Sequence, residues 1–78
     1  MSAAVLYRID PAKHMHRVYR LDVQLDLFGQ WCLMREFGRI GSTGHMRSVP
    51  FSTPHEAEAA LHQQRRITEH RGYVPEIA

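Results

Sequence analysis

The sequence predicts an α+β fold: a four- or five-stranded antiparallel sheet with one α-helix packed on it. Three observations carry this. Tyr19, Leu21, Val23, Leu25 and Leu27 alternate with Arg20, Asp22, Gln24 and Asp26, the period of two that marks a strand with one buried face in an antiparallel sheet. Thr53, Pro54 and Glu56 spell a helix start, with an N-cap hydroxyl, proline at the first helical position and an acid two residues later. Glycine, proline and aspartate punctuate the remaining chain into short segments. At 78 residues the chain is expected to form one domain over positions 1–78, with a modest core.

Taken in order, residues 4–9 are rich in β formers and read as a first strand, closed by Asp10-Pro11. Residues 11–16 read as a loop and residues 17–27 as the second strand. In that strand Leu21, Val23 and Leu25 are expected in the core. Phe28-Gly29-Gln30 is the turn to a partner strand over residues 31–40. The facing of this third strand is open, because Trp31, Leu33 and Phe37 share a parity with Arg35 and Arg39. The preferred arrangement puts Cys32, Met34 and Ile40 inward and Phe37 and Arg39 outward, with a bulge near Gly38 to reconcile the two halves. Ser42-Thr43-Gly44 turns the chain into a fourth strand over residues 45–52, which Pro50 marks as an edge or bulged strand. The helix follows over residues 54–71, with Ala57, Ala60, Leu61, Gln64 and Ile67 as its buried stripe. Gly72 suits the position just past the helix end, and the tail beyond it has room for a short fifth strand.

Composition excludes several classes. The formal net charge is +2, and Lys13 is the sole lysine among ten basic residues. Arginine is the better side chain for bidentate phosphate recognition, but here the arginines form no run, so a strongly basic nucleic-acid arm is absent. The single cysteine, Cys32, permits no internal disulfide and fits a reducing compartment, hence the cytoplasm. Its apolar neighbours mark it as a buried thiol rather than a nucleophile. No stretch has the length and apolarity of a membrane span.

The stretch 35–44 concentrates the functional signal: Gly38, Gly41 and Gly44, with Arg35, Arg39 and Phe37 among them. Glycine permits close approach of another backbone or a ligand. Phe37 and Arg39 are two residues apart and point to the same side of a strand, and a ring beside a guanidinium suits a sugar, base or phosphate. The competing reading is a hairpin turn with solvated arginines. The basic helix end, with Arg65, Arg66, His70 and Arg71, has a structural explanation in the macrodipole as well as a binding one.

The same stretch resembles the WGR domain, named for a Trp-Gly-Arg signature. Phe37-Gly38-Arg39-Ile40-Gly41-Ser42-Thr43-Gly44 is similar to that family's W-G-R-I-G-x-x-G. Arg17-Val18-Tyr19 resembles its entry to the second strand, and Leu27-Phe28-Gly29-Gln30-Trp31 looks like the hairpin of small bacterial members. Phe51-Ser52 with Glu56-Ala57 resembles the approach to its helix, and Arg71-Gly72-Tyr73 its close. The signature tryptophan is Phe37 here, which keeps a stacking face but loses the indole N–H. The lysine usual before the close is missing, and Thr68-Glu69-His70 occupies that region. A glutamate there works against phosphate binding. The resemblance implies the same sheet-and-helix fold and a nucleic-acid-binding role. In poly(ADP-ribose) polymerases the tryptophan packs on a sugar at a DNA break end and the arginine contacts DNA and neighbouring domains. Carried over, Phe37 is the packing aromatic and Arg39 the contact arginine; beside this carry-over, Arg35 and Arg47 are expected as flanking phosphate contacts. The polymerase activity does not carry over.

Other chemistry finds no support in the sequence. His14, His16 and His45 belong to a total of six histidines, but a metal site needs three or four converging ligands with a second shell. Neither a metal nor a cofactor is expected. Ser42, Thr43 and His45 lack an acid or oxyanion device, so no catalytic residue is assigned. Two readings stand: a nucleic-acid-binding module, DNA favoured, and a protein–protein interaction module docking through the same surface. Both use Phe37, Gly38 and Arg39, and neither specifies an oligomeric state. They differ in salt dependence, which is steep where phosphates are neutralised.

Overall fold

The computed structural model describes residues 3–41 and 44–75. Four strands form an antiparallel sheet in sequence order: β1 (Ala3–Asp10), β2 (Met15–Leu25), β3 (Trp31–Arg39) and β4 (His45–Phe51). One helix, α1 (Pro54–His70), packs on one face. The fold class is therefore the α+β arrangement the sequence predicts. Pro50 sits on β4, an edge strand, where a missing N–H costs no ladder bond on the open side. Tyr7 and Val74 exchange backbone hydrogen bonds of 2.7 and 2.8 Å. Among the described residues the tail thus adds a single bridge at the β1 edge. The turn expected at Ser42-Thr43 lies outside the described residues.

The core gathers Leu6, Tyr19, Leu21, Val23 and Leu33 from the sheet with Ala57 and Leu61 from α1. Burying one such leucine is worth roughly 1.5–3 kcal/mol. Two expectations about the core need correction. Leu25 is 52% exposed, because β2 ends there, beyond the cover of the helix. Within α1, Thr68 rather than Ile67 completes the buried stripe. Its hydroxyl donates to the Gln64 carbonyl at 2.8 Å, so the polar group is satisfied where it is buried.

The facing of β3 is the larger correction. Tyr19 pairs with Phe37, Leu21 with Arg35 and Val23 with Leu33, in a continuous register without a bulge at Gly38. Directly paired residues share a face, so Phe37 lies on the helix side, stacked on Tyr19 with ring centroids 5.4 Å apart. Arg39 falls on that side by the same register. Cys32 is buried, but on the face away from the helix, with half-buried Met34 beside it by parity. Ile40 lies past the strand and is exposed. Apolar Trp31 and Leu33 pull this parity inward, which takes Arg35 with them.

The termini of the elements follow local chemistry. The Thr53 hydroxyl accepts from the Glu56 amide at 3.2 Å, the N-cap the sequence predicts. Thr53→Ala should cost about 1 kcal/mol, a fall of roughly 4–8 °C in Tm for a domain this small; a thermal melt checks it. Past the helix end, Gly72 takes φ 93° and donates to the Glu69 carbonyl at 3.0 Å, a left-handed cap that glycine adopts freely. In the β2–β3 turn the Asp26 carboxylate accepts from the amides of Phe28 at 2.8 Å and Gln30 at 2.9 Å.

These bonds, that from Gln30 foremost, hold the Asp26 carboxyl below its ordinary pKa. A lowered folded-state pKa means stabilisation that is complete above the unfolded-state value and is lost as pH falls through the folded one. Asp26→Ala should therefore be less stable than the parent at neutral pH. The gap should close below about pH 4, as read from denaturant unfolding at a series of pH values.

Candidate functional site

The helix-bearing face is not apolar throughout. The strand registers sort its side chains into rows that cross the sheet. Leu25, Trp31 and Phe51 form one row, followed by Val23, Leu33 and Val49. The composition then changes. Ala4, Leu21, Arg35 and Arg47 make the next row, then Leu6, Tyr19, Phe37 and His45, and last Arg8, Arg17 and Arg39. An aromatic row is thus flanked by guanidiniums on both sides. The two arginine rows are four residues apart along β3, or about 13 Å of strand.

This arrangement puts like charges opposite one another. Arg8 pairs with Arg17, Arg17 with Arg39, and Arg35 with Arg47, juxtapositions that destabilise a sheet. On the opposite face, by contrast, Arg20 and Glu36 form an ion pair of 2.9 Å. The helix-side arginines surround a cleft of about 720 Å³ between the sheet and the last turns of α1, lined by Arg8, Arg17, Arg35, Arg47 and Arg71 with Tyr19, Phe37 and Tyr73. Among the described residues no carboxylate lines it. Among the described residues none of those five guanidiniums is ion-paired. Arg35 donates to the Gln64 side chain at 3.2 Å, while its buried Nε lacks an acceptor among the described residues. A smaller hollow of about 420 Å³ adjoins, with Lys13, His14, His16, Arg39 and His45 in its lining. Arg17, Phe37 and Tyr73 line both.

The glycines explain how Phe37 and Arg39 are held. A Cβ on Gly38 would lie 2.8 Å from the Gly44 Cα, and one on Gly44 would lie 2.6 Å from the Phe37 carbonyl oxygen. The chain therefore crosses itself here at a separation only glycine permits. Phe37 packs against Tyr19 on one side and tilts on His45, with centroids 5.7 Å apart, on the other. Tyr73 meets Tyr19 edge-on at 6.0 Å. The ring is thus a supported platform, half-buried rather than free.

Of the residues singled out in the sequence, Phe37, Gly38 and Arg39 line the smaller hollow, and Arg35 and Arg47 line the larger cleft with Phe37. Arg8, Arg17 and Arg71 line these hollows as well and are not among the contact residues expected from the sequence. The signal for Arg71 was its place in the Arg-Gly-Tyr close, which the macrodipole also explains. Arg8 carried no signal, because its pairing with Arg17 follows from the β1–β2 register and not from any local pattern.

The family model described as WGR domain matches residues 2–77. The chain belongs to the WGR domain family. WGR domains are generally nucleic-acid-binding modules rather than catalytic ones. An uncharacterized protein of Sinorhizobium fredii, y4dW, is 37% identical over 68 residues, covering 87% of this chain. The match spans about a third of that relative, 33% of its length. No solved structure matches.

Within this WGR domain the departures from the family pattern acquire a structural meaning. Phe37 keeps the aromatic position of the signature on the helix-side face. Glu69, expected to work against phosphate binding, is engaged by Arg65 at 3.0 Å and does not line the arginine cleft. Thr68, in the same region, is turned into the core. Among the described residues no three His, Cys, Asp or Glu side chains are placed to hold a metal, and no helix is long and apolar enough to cross a membrane.

Proposed function

We propose that this WGR domain binds nucleic acid with weak sequence preference, DNA before RNA, at ends or junctions, through Phe37, Gly38 and Arg39, with Arg35 and Arg47 as flanking phosphate contacts. The observation that supports this reading is the aromatic row between two guanidinium rows. A sugar or base packed on Phe37 has phosphates on either side within reach of arginine. The lone, buried Cys32 fits a reducing compartment, and the cytoplasm is the setting we propose.

The test is a titration of blunt, nicked and closed-end duplexes and of a single strand at two salt concentrations. Arg39→Ala should weaken binding to all of them and reduce the salt slope by about 1. Phe37→Ala should cost roughly 1–3 kcal/mol of binding, the range seen for base–aromatic stacking, with little change in slope. Because Phe37 also stacks on Tyr19, each variant is first checked by circular dichroism and melting. If folded Arg39→Ala and Phe37→Ala proteins bind every substrate as the parent does, or the parent binds none at low salt, the reading fails. Protein docking through the same surface then takes its place.

A further inference from the structure

We infer that the larger cleft, which shares Phe37, Arg35 and Arg47 with the proposed nucleic-acid surface, also binds a compact ligand carrying two or more linked phosphoryl groups, of the diphosphate or polyphosphate class. It goes beyond the nucleic-acid reading and does not depend on it, because its distinguishing residues, Arg8 and Arg71, lie outside the Phe37-Gly38-Arg39 signature.

Four observations carry the inference. First, guanidiniums converge on this cleft from every strand and from the helix end: Arg8 from β1, Arg17 from β2, Arg35 from β3, Arg47 from β4 and Arg71 from the cap of α1. Among the described residues no acid enters its lining. Second, Arg8 faces Arg17 and Arg35 faces Arg47 directly across the sheet. Among the described residues these repulsions have no compensating carboxylate, and a bound polyanion converts them into charge-assisted hydrogen bonds. Third, Arg35, which lines the cleft, has a buried Nε without an acceptor among the described residues, so its hydrogen-bonding capacity is not met within the protein. Fourth, the Arg8 guanidinium is seated against Gly72: its Nε is 3.4 Å from where a Cβ would stand, at a residue with φ 93°. Arg8 is thereby placed against the helix end that carries Arg71.

Size and donor count select the class. The volume of about 720 Å³ falls in the range of about 300–1,000 Å³ usual for small-molecule sites. Each guanidinium offers five N–H donors, so these arginines exceed what the oxygens of one phosphate can accept. A chain of phosphoryl groups spreads acceptors across the cleft from Arg8 and Arg71 to Arg47. Because α1 covers one side, a compact chain fits better than the flank of a duplex.

The test is isothermal titration and thermal melting of the protein with tripolyphosphate, pyrophosphate and inorganic phosphate at matched ionic strength. Tripolyphosphate should bind and raise Tm, pyrophosphate should bind more weakly, and phosphate should do little more than added salt. Arg8→Gln and Arg71→Gln should each weaken tripolyphosphate binding by tenfold or more, while a folded Arg20→Gln protein, altered on the opposite face of the sheet, binds it as the parent does. A nucleoside triphosphate arm separates the sources. Tighter binding than tripolyphosphate assigns a nucleotide, and equal binding assigns the phosphoryl chain alone. The inference is overturned if tripolyphosphate does not bind at low salt, or if phosphate binds equally well. It is overturned too if folded Arg8→Gln and Arg71→Gln proteins keep parental affinity. None of these outcomes bears on duplex binding through Arg39, so the two readings fail separately.

Discussion

Leu21→Ala is expected to lower stability by roughly 2–5 kcal/mol. Leu21 is 1% exposed and sits in the core cluster with Tyr19, Val23 and Leu61. Removing its branched end leaves a cavity lined by side chains from the sheet and the helix, which cannot all close on it. Small domains have total stabilities of about 5–15 kcal/mol, and a chain of this length belongs at the low end. The variant should therefore be largely unfolded near physiological temperature. Urea unfolding at 25 °C checks this, with Leu25→Ala as the comparison. Leu25 has the same parity in β2 but is half-exposed at the strand end, and its truncation should cost about 1 kcal/mol or less. A larger loss at Leu25 than at Leu21 would mean that the helix covers a different part of the sheet.

Gly38→Ala is the second large effect, and it reaches both stability and binding. The new methyl would stand 2.8 Å from the Gly44 Cα. That neighbour is backbone, so no side chain can swing aside to relieve the contact, and the segment entering β4 must shift. Overpacking of this kind costs typically about 1–3 kcal/mol. Because Gly38 lies between Phe37 and Arg39, the shift also disturbs the ring and the guanidinium proposed to meet a ligand. Melting should report the stability loss, and amide chemical shifts should move most at residues 37–39 and 44–45. Gly41→Ala is a useful contrast, since a methyl there meets nothing within 4 Å. Its φ of 86° costs about 1–2 kcal/mol in left-handed strain, but it should leave the surroundings of Phe37 in place.

Much of this protein is legible in its sequence where the governing physics is local. The alternation in β2 reports a half-buried strand because successive side chains point to opposite faces. Thr53, Pro54 and Glu56 mark the start of α1 because capping involves only neighbouring residues. Gly38 and Gly44 mark the close approach of the chain beside Phe37 and Arg39, since a Cβ at either would meet backbone. The family resemblance rests on the order and spacing of these same local features, and the WGR match bears it out.

What the sequence leaves open is what depends on register. The side of β3 that Phe37 and Arg39 share with the helix follows from Tyr19 pairing with Phe37 and Leu21 with Arg35. Those pairings join positions far apart in the chain, and a slip of one residue reverses every facing. The exposure of Leu25 likewise follows from where α1 ends its cover, not from the residue. The arginine cleft is the clearest case. Arg8, Arg17, Arg35, Arg47 and Arg71 are scattered along the chain and form no charge run, yet folding gathers them around one cavity. The sequence by itself determined the strands, the helix and the aromatic-Gly-Arg signature, because each is set by contacts between near neighbours. Only the tertiary structure decided which face that signature shares and which charges surround it, because antiparallel pairing and helix docking bring together residues that no local pattern relates.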